Sequence, residues 1–290
     1  MKSLLLHTTW LVAFSISSMA QGATSGEELL QSSGIQGGLV VHLGSGDGRL
    51  TASLHANESY LVHGLDADPQ NVAEARKTIQ SMGLYGRVSV EAFDGEHLPY
   101  ADNLVNLLVA EDLGGVSMGE VMRVLAPRGV ACVKQGDRWN KTVKPRPDAI
   151  DEWTHFLHDA SGNAVAKDER VGSPRRVQWM AGPMHTRDHD ALASLSAMTT
   201  SDGRLFYILD EGHTSLMHRP AKWKLIARDA FNGILLWKRD IPTWVTHLFY
   251  FRSGPAQMPR RLVSVGDRVY VTLALDAPVS MLDAATGQTL

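Results

Sequence analysis

The sequence is poor in cysteine: Cys132 is the only one among 290 residues. No internal disulfide can form, so the fold draws no stability from cross-links. The apolar run around Cys132 makes it an ordinary small buried thiol. Charge of one sign is also lacking. With 28 basic and 31 acidic residues, the formal net charge is −3, which gives no electrostatic basis for binding nucleic acid or an anionic membrane. Long apolar runs are missing too, since nothing approaches the roughly 20 residues of a membrane span. There is no H-E-x-x-H pattern and no pair of cysteines, so neither common zinc signature applies.

The N-terminus does carry a shorter apolar run. Lys2 precedes Leu4 to Ile16, and "SMA" at Ser18-Met19-Ala20 follows, with Ala23 as a second small residue. A basic start, a short apolar stretch and small-x-small positions predict an export signal over residues 1–23, hence a periplasmic or extracellular protein.

From residue 24 to 136 the chain alternates strand-like and helix-like segments. "GLVVHL", "YLVHGLD", "RVSVEAF", "LVNLLVA" and "VACVK" read as five strands. Between them, Arg49 to Ala56, "PQNVAEARKTIQSMG" and "GEVMRVLAPRG" read as helices, the last ended by Pro127 and Gly129. The alternation predicts an α/β domain with a parallel, Rossmann-like sheet. Residues 137–175 contain "NKTVKPRPDAIDEW" without a clear period and read as a linker. Residues 176–290 hold short β-branched and aromatic segments separated by turn signals, which predicts an all-β region.

"VVHLGSGDGRL" is the segment with most chemical content. Gly44, Gly46 and Gly48 let the backbone bend sharply and approach a ligand, and the next helix directs free N–H groups toward it. A dinucleotide turn would place its third glycine at position 49, where Arg49 stands; the observed spacing suits a nucleoside with an amino-acid tail. Asp66, about 20 residues on at the end of the second strand, can accept from ribose hydroxyls. Asp94, at the end of the third, can accept from an adenine amino group. A plain strand-to-helix turn with two capping aspartates is the alternative.

The ordered set "VVHLGSGDG", "VHGLDADPQNVAEAR", "FDGEHLPYADNLVNLLV" and "VMRVLAPRGV" resembles the class I S-adenosylmethionine-dependent methyltransferases, in particular the small-molecule branch called type 11. The resemblance implies that Gly44, Gly46 and Gly48 wrap the methionine portion, Asp66 the ribose and Asp94 the adenine, with a small-molecule acceptor. His42 stands where the family carries an acid, and Val105-Asn106 where it carries Phe-Asp. The two late strands of the family have no counterpart after "VACVK". No catalytic base is identifiable; His97 and Glu111 lie near predicted strand ends and are the candidates.

A weak repeat marks the β region. Asp229, Ala230 and Gly233 share D-A-x-x-G with Asp283, Ala284 and Gly287, and the first copy runs on to Trp237. The pattern resembles the pyrroloquinoline-quinone-type propeller repeats of exported quinoproteins and assembly factors. It implies a structural Trp237, a surface for a protein partner and, in the quinone-binding members, pyrroloquinoline quinone as cofactor. A propeller needs about four blades; fewer than two are visible, so the sequence reads as part of a longer protein. His155, His158, Asp159, His185, Asp188, His189 and Asp190 form a polar stretch, read as solvated loop with no metal. In "WTHFLHD", Trp153 and Phe156 are expected to pack inward with the histidines facing water. Two functions compete: methyl transfer by a domain fused to a propeller, and an exported scaffold whose first domain has lost catalysis. A quinone-dependent oxidoreductase is a third.

Overall fold

The structure is a computed structural model that describes residues 25–170, 172–173, 177–185, 194–214, 216, 219–245 and 257–290. The expected export segment lies outside these residues, as do Asp188, His189 and Asp190. Among the described residues no helix is long and apolar enough to cross a membrane.

The first half begins with α1 (Gly26–Ser33), started by a reciprocal capping box between Ser25 and Glu28. Then follow β1 (Gly38–Leu43), α2 (Arg49–Ser53), β2 (Tyr60–Asp66), α3 (Pro69–Ser81), β3 (Val88–Ala92), β4 (Val105–Ala110), α4 (Met118–Val124), β5 (Leu125–Gln135) and β6 (Arg138–Val143). The sheet order is β3-β2-β1-β4-β5-β6. The first five strands are parallel and β6 runs antiparallel to β5. The strand order reverses between β1 and β4, which opens a crevice at their carboxyl ends.

Strand alternation assigns the two faces. Val40, Val62, Val90, Leu107, Val109 and Cys132 point toward α1, α2 and α3. Leu39, Val41, Leu65, Leu108 and Ala131 point the other way, toward α4. Both faces of β1 are therefore covered, and all six of its residues are buried. This is why the strands read as continuous apolar runs.

Two expectations need correction. Residues 137–143 are not linker: β6 pairs with β5 from Gln135↔Arg138 to Val130↔Val143, giving six strands rather than five. The strand is mostly solvent-exposed, so it lacks apolar alternation, and its two-residue turn at Gly136-Asp137 fixes the register. The fourth helix also stops earlier than Pro127. It ends at Val124, and Leu125 already begins β5, whose register against β4 shifts between Val105 and Leu107. Arg128, at φ 66, and Gly129 fit this bulged entry.

The second half holds two antiparallel meanders. One is β7 (Leu195–Ser201), β8 (Arg204–Asp210), β9 (Trp223–Asp229) and β10 (Leu235–Ile241); the other is β11 (Leu262–Val265), β12 (Arg268–Thr272) and β13 (Val279–Asp283). They share one core built on Phe206, Trp223, Leu225, Leu262, Val269 and Leu282. Among the described residues these sheets do not close a propeller.

The D-A-x-x-G copies have the same geometry. Asp229 accepts the amides of Phe231 and Asn232, and Asp283 those of Ala285 and Thr286. Trp237 Nε1 donates to Ala284 O at 3.0 Å, and its ring lies against Gly287, where a Cβ would come within 2.6 Å. Trp179, which the sequence reading passed over, does the same for the first copy: Nε1 donates to Ala230 O at 3.0 Å and the ring covers Gly233. Only glycine lets an indole lie this close to the turn.

Candidate functional site

The glycine turn sits at the crevice between β1 and β4. Gly44 N–H donates to Leu65 O at 2.8 Å and Gly46 N–H to Asp66 Oδ2 at 3.0 Å, so the end of β2 fixes the turn. Gly44 and Gly46 have positive φ (75 and 49), and a Cβ built on either would meet nothing within 4 Å. They border open space. Gly48 differs: it is the left-handed N-cap of α2, and a Cβ there would lie 2.8 Å from Ala75 Cα. The third glycine lets α2 pack on α3.

A cavity of about 520 Å³ opens over this turn. His42, Gly44, Ser45, Gly46, Glu111 and Lys134 line it, and Trp139 of β6 adds an aromatic wall. Two of these side chains carry buried polar atoms without any hydrogen-bond partner, His42 Nε2 and Ser45 Oγ. The other ring nitrogen of His42 meets Thr51 Oγ1 at 2.8 Å. Burial pushes the His42 pKa down to about 4, against a smaller upward pull from Glu111 and then Asp66, so the imidazole is neutral at neutral pH. A buried polar atom left unpaired is costly, and such atoms cluster where a ligand or water completes the set. Glu111 and Lys134 form an ion pair at 3.1 Å at the same cavity.

The predicted site residues separate under this geometry. Gly44 and Gly46 line the cavity; Gly48, Asp66 and Asp94 do not. Asp66 is 6% exposed and already accepts from Gly46 N, Asp68 N and Asn71 Nδ2. It braces the turn from behind. Asp94 is exposed and caps its own loop: Oδ1 takes the amides of Glu96 and His97 at 2.8 and 2.7 Å, and Oδ2 meets His97 Nδ1 at 3.0 Å. Those bonds, backbone ones first, hold its pKa down at about 2, and the same contact raises that of His97. Of the two base candidates, Glu111 reaches the cavity, whereas His97 does not line it. Ser45, Lys134 and Trp139 went unnoticed in the sequence. Lys134 ends the predicted strand "VACVK", whereas Trp139 could have been found only by recognising β6.

Asn106, on β4, sits at the opposite end of the sheet. Its Oδ1 accepts from Leu39 N at 2.8 Å and Asn232 Nδ2 at 2.7 Å, and its Nδ2 donates to Asp229 Oδ2 at 2.7 Å. The residue joins the α/β sheet to the first D-A-x-x-G turn. Burial raises the Asp229 pKa against these bonds.

The loop histidines correct another expectation. His158 is buried, not solvated, with Nε2 2.7 Å from Asp151 Oδ2 and its ring edge-on to Trp153. Trp153 and Phe156 are each 37% exposed. Hydrogen bonding to Asp151 makes the imidazole affordable inside, and the aromatic rings take the surface. Among the described residues no group of three or more His, Cys, Asp or Glu side chains could hold a metal ion.

Residues 40–129 match a family model described as a methyltransferase domain, a span from β1 into β5. Solved structures give three examples of similarity over 37% of this chain. A putative S-adenosyl-L-methionine-dependent methyltransferase from Methanococcus maripaludis has 23% identity, TM-score 0.34 and 52% of its own length covered. A putative sarcosine dimethylglycine methyltransferase from Galdieria sulphuraria has 22%, 0.34 and 44%. Geranyl diphosphate C-methyltransferase from Streptomyces coelicolor, in complex with Mg²⁺, geranyl diphosphate and S-adenosyl-L-homocysteine, has 17%, 0.35 and 43%. The chain spans about half the length of these structures or less. No curated protein matches it.

Proposed function

We propose that the α/β region binds S-adenosylmethionine in the cavity over Gly44 and Gly46 and passes its methyl group to a small-molecule acceptor. The observation that carries this reading is the pair of unpartnered buried atoms, His42 Nε2 and Ser45 Oγ, beside an open glycine turn. The match of residues 40–129 to a methyltransferase-domain model supports the same class of chemistry. S-adenosylmethionine would supply an electrophilic methyl group on a sulfonium.

The residues of the chain do the rest by holding and orienting. Gly44 and Gly46 let the backbone approach the donor. Ser45 and neutral His42 offer hydrogen bonds at the cavity floor. Asp66 keeps the turn in place through Gly46 N–H and has lone-pair capacity left for a ribose hydroxyl. The adenine amino group is assigned to Asp94, which caps its own loop outside this cavity, so the nucleoside end extends past the turn toward the end of β3. Such an enzyme gains rate mainly from alignment of donor and acceptor.

Titration calorimetry of the chain with S-adenosylmethionine tests this. The reading expects micromolar binding that Asp66→Ala weakens while the thermal melt stays cooperative. No heat at millimolar donor contradicts it.

A second reading keeps donor binding without transfer, in an exported scaffold that presents a propeller surface to a protein partner. Asn106 favours it, because the position of the family's acid on β4 is spent on docking to Asp229. Release of S-adenosylhomocysteine on incubation with candidate acceptors separates the two. The export signal over 1–23 and the assignment of β7–β10 and β11–β13 to successive propeller blades belong to this proposal as well.

A further inference from the structure

We infer that Glu111 and Lys134 together hold the amino-acid end of the methyl donor, Glu111 taking the ammonium and Lys134 the carboxylate. The assignment rests on the donor-site reading above and concerns how that site replaces a charge it lacks.

The first strand has no acid to offer. His42 occupies the position from which a carboxylate would face the cavity, and its imidazole is buried, neutral and bonded on one side to Thr51. It can give one hydrogen bond and no charge, so an ammonium resting there would lose solvation without a counter-ion.

The register supplies one from the next strand. On β4, Val109 pairs with His42 and Ala110 with Leu43, so Glu111 stands one step beyond, level with Gly44. On β5, Cys132 pairs with Val109 and Val133 with Ala110, so Lys134 is level with Glu111. Gly44, Glu111 and Lys134 therefore form a row across three adjacent strand ends, and all three line the cavity. Glu111 is also the carboxylate that acts most strongly on His42.

An anion and a cation 3.1 Å apart match a ligand whose ammonium and carboxylate share one carbon. The pair is free to open for it, since the side chains are 60% and 35% exposed and an exposed pair is held weakly. The other pair at this cavity is less available. Asp47 spends Oδ1 on the Arg49 amide at 3.0 Å and Oδ2 on the Arg49 guanidinium at 3.4 Å.

The test compares two ligands by titration calorimetry on the chain. S-adenosylhomocysteine carries the amino-acid end; 5′-methylthioadenosine has the same nucleoside and thioether without it. Wild type is expected to prefer S-adenosylhomocysteine. Glu111→Gln and Lys134→Met should each weaken S-adenosylhomocysteine by about tenfold and leave methylthioadenosine within about twofold, the size of a charge-assisted contact. Equal weakening of both ligands, or unchanged S-adenosylhomocysteine affinity, overturns the assignment and spares the donor site. Wild type that binds methylthioadenosine equally well does the same. Wild type that binds neither ligand overturns the donor site and this assignment with it.

Discussion

The two ends of the parallel sheet make opposite use of polar groups. At the amino end, Asn106, Asn232, Asp229 and the Leu39 amide saturate one another across the junction with the antiparallel meanders. At the carboxyl end, His42 Nε2 and Ser45 Oγ are buried and have no partner. A closed network contributes stability and fixes orientation, whereas an open one carries a standing cost that a ligand can relieve. The contrast separates a structural junction from the proposed donor site within one sheet.

Asn106→Ala should break the closed end most severely. It strands the Leu39 amide and removes a hydrogen bond from the buried Asp229 carboxyl, and should cost about 3 kcal/mol in urea unfolding. Affinity for S-adenosylhomocysteine should change little in the folded fraction. If that affinity falls in parallel with stability, the two ends are not independent.

The pH dependence of stability probes the open end. The folded His42 pKa is about 4, below its usual 6.5. The unfolded chain therefore binds the extra proton first as pH falls. The His42 contribution should erode stability between pH 6.5 and 4 by roughly 3 kcal/mol and level off below. His42→Phe should flatten that limb. Asp94 acts in a lower window with the same direction: its stabilising ionised form is retained above the usual 3.8 and lost as pH falls through about 2. A melt series across both windows separates the groups, and an unchanged slope in His42→Phe would contradict the neutral imidazole.

Asp66→Asn is expected to be intermediate. The side chain keeps an acceptor for Gly46 but loses charge, so donor affinity should drop about tenfold with a stability loss near 1 kcal/mol. The smallest effect belongs to the exposed Arg87–Glu58 pair, where Arg87→Ala should shift stability by under about 0.5 kcal/mol and leave binding alone.

Much of the α/β half was legible in the sequence because β1, β2 and β4 are apolar on both faces and Gly44 and Gly46 break the run between strand and helix. Gly48 looked like the other two, since its reason for being glycine lies in Ala75, on another helix. β6 escaped because an exposed edge strand has no apolar period. The Gly136-Asp137 turn was the available signal. Trp179 escaped because the turn it covers is 51 residues away. His158 read as solvated because nothing in the pattern revealed that Asp151 would take its Nε2. Sequence patterns report local geometry and burial well, and they report partners poorly when the partner is distant in the chain.

The central claim is that His42 Nε2 awaits a ligand. The most direct test is the ¹⁵N spectrum of histidine-labelled protein during titration with S-adenosylhomocysteine. The account predicts a saturable shift of the His42 Nε2 resonance, with His63 and His158 unmoved. A His42 resonance that stays fixed while the ligand binds, or no binding at all, would contradict it.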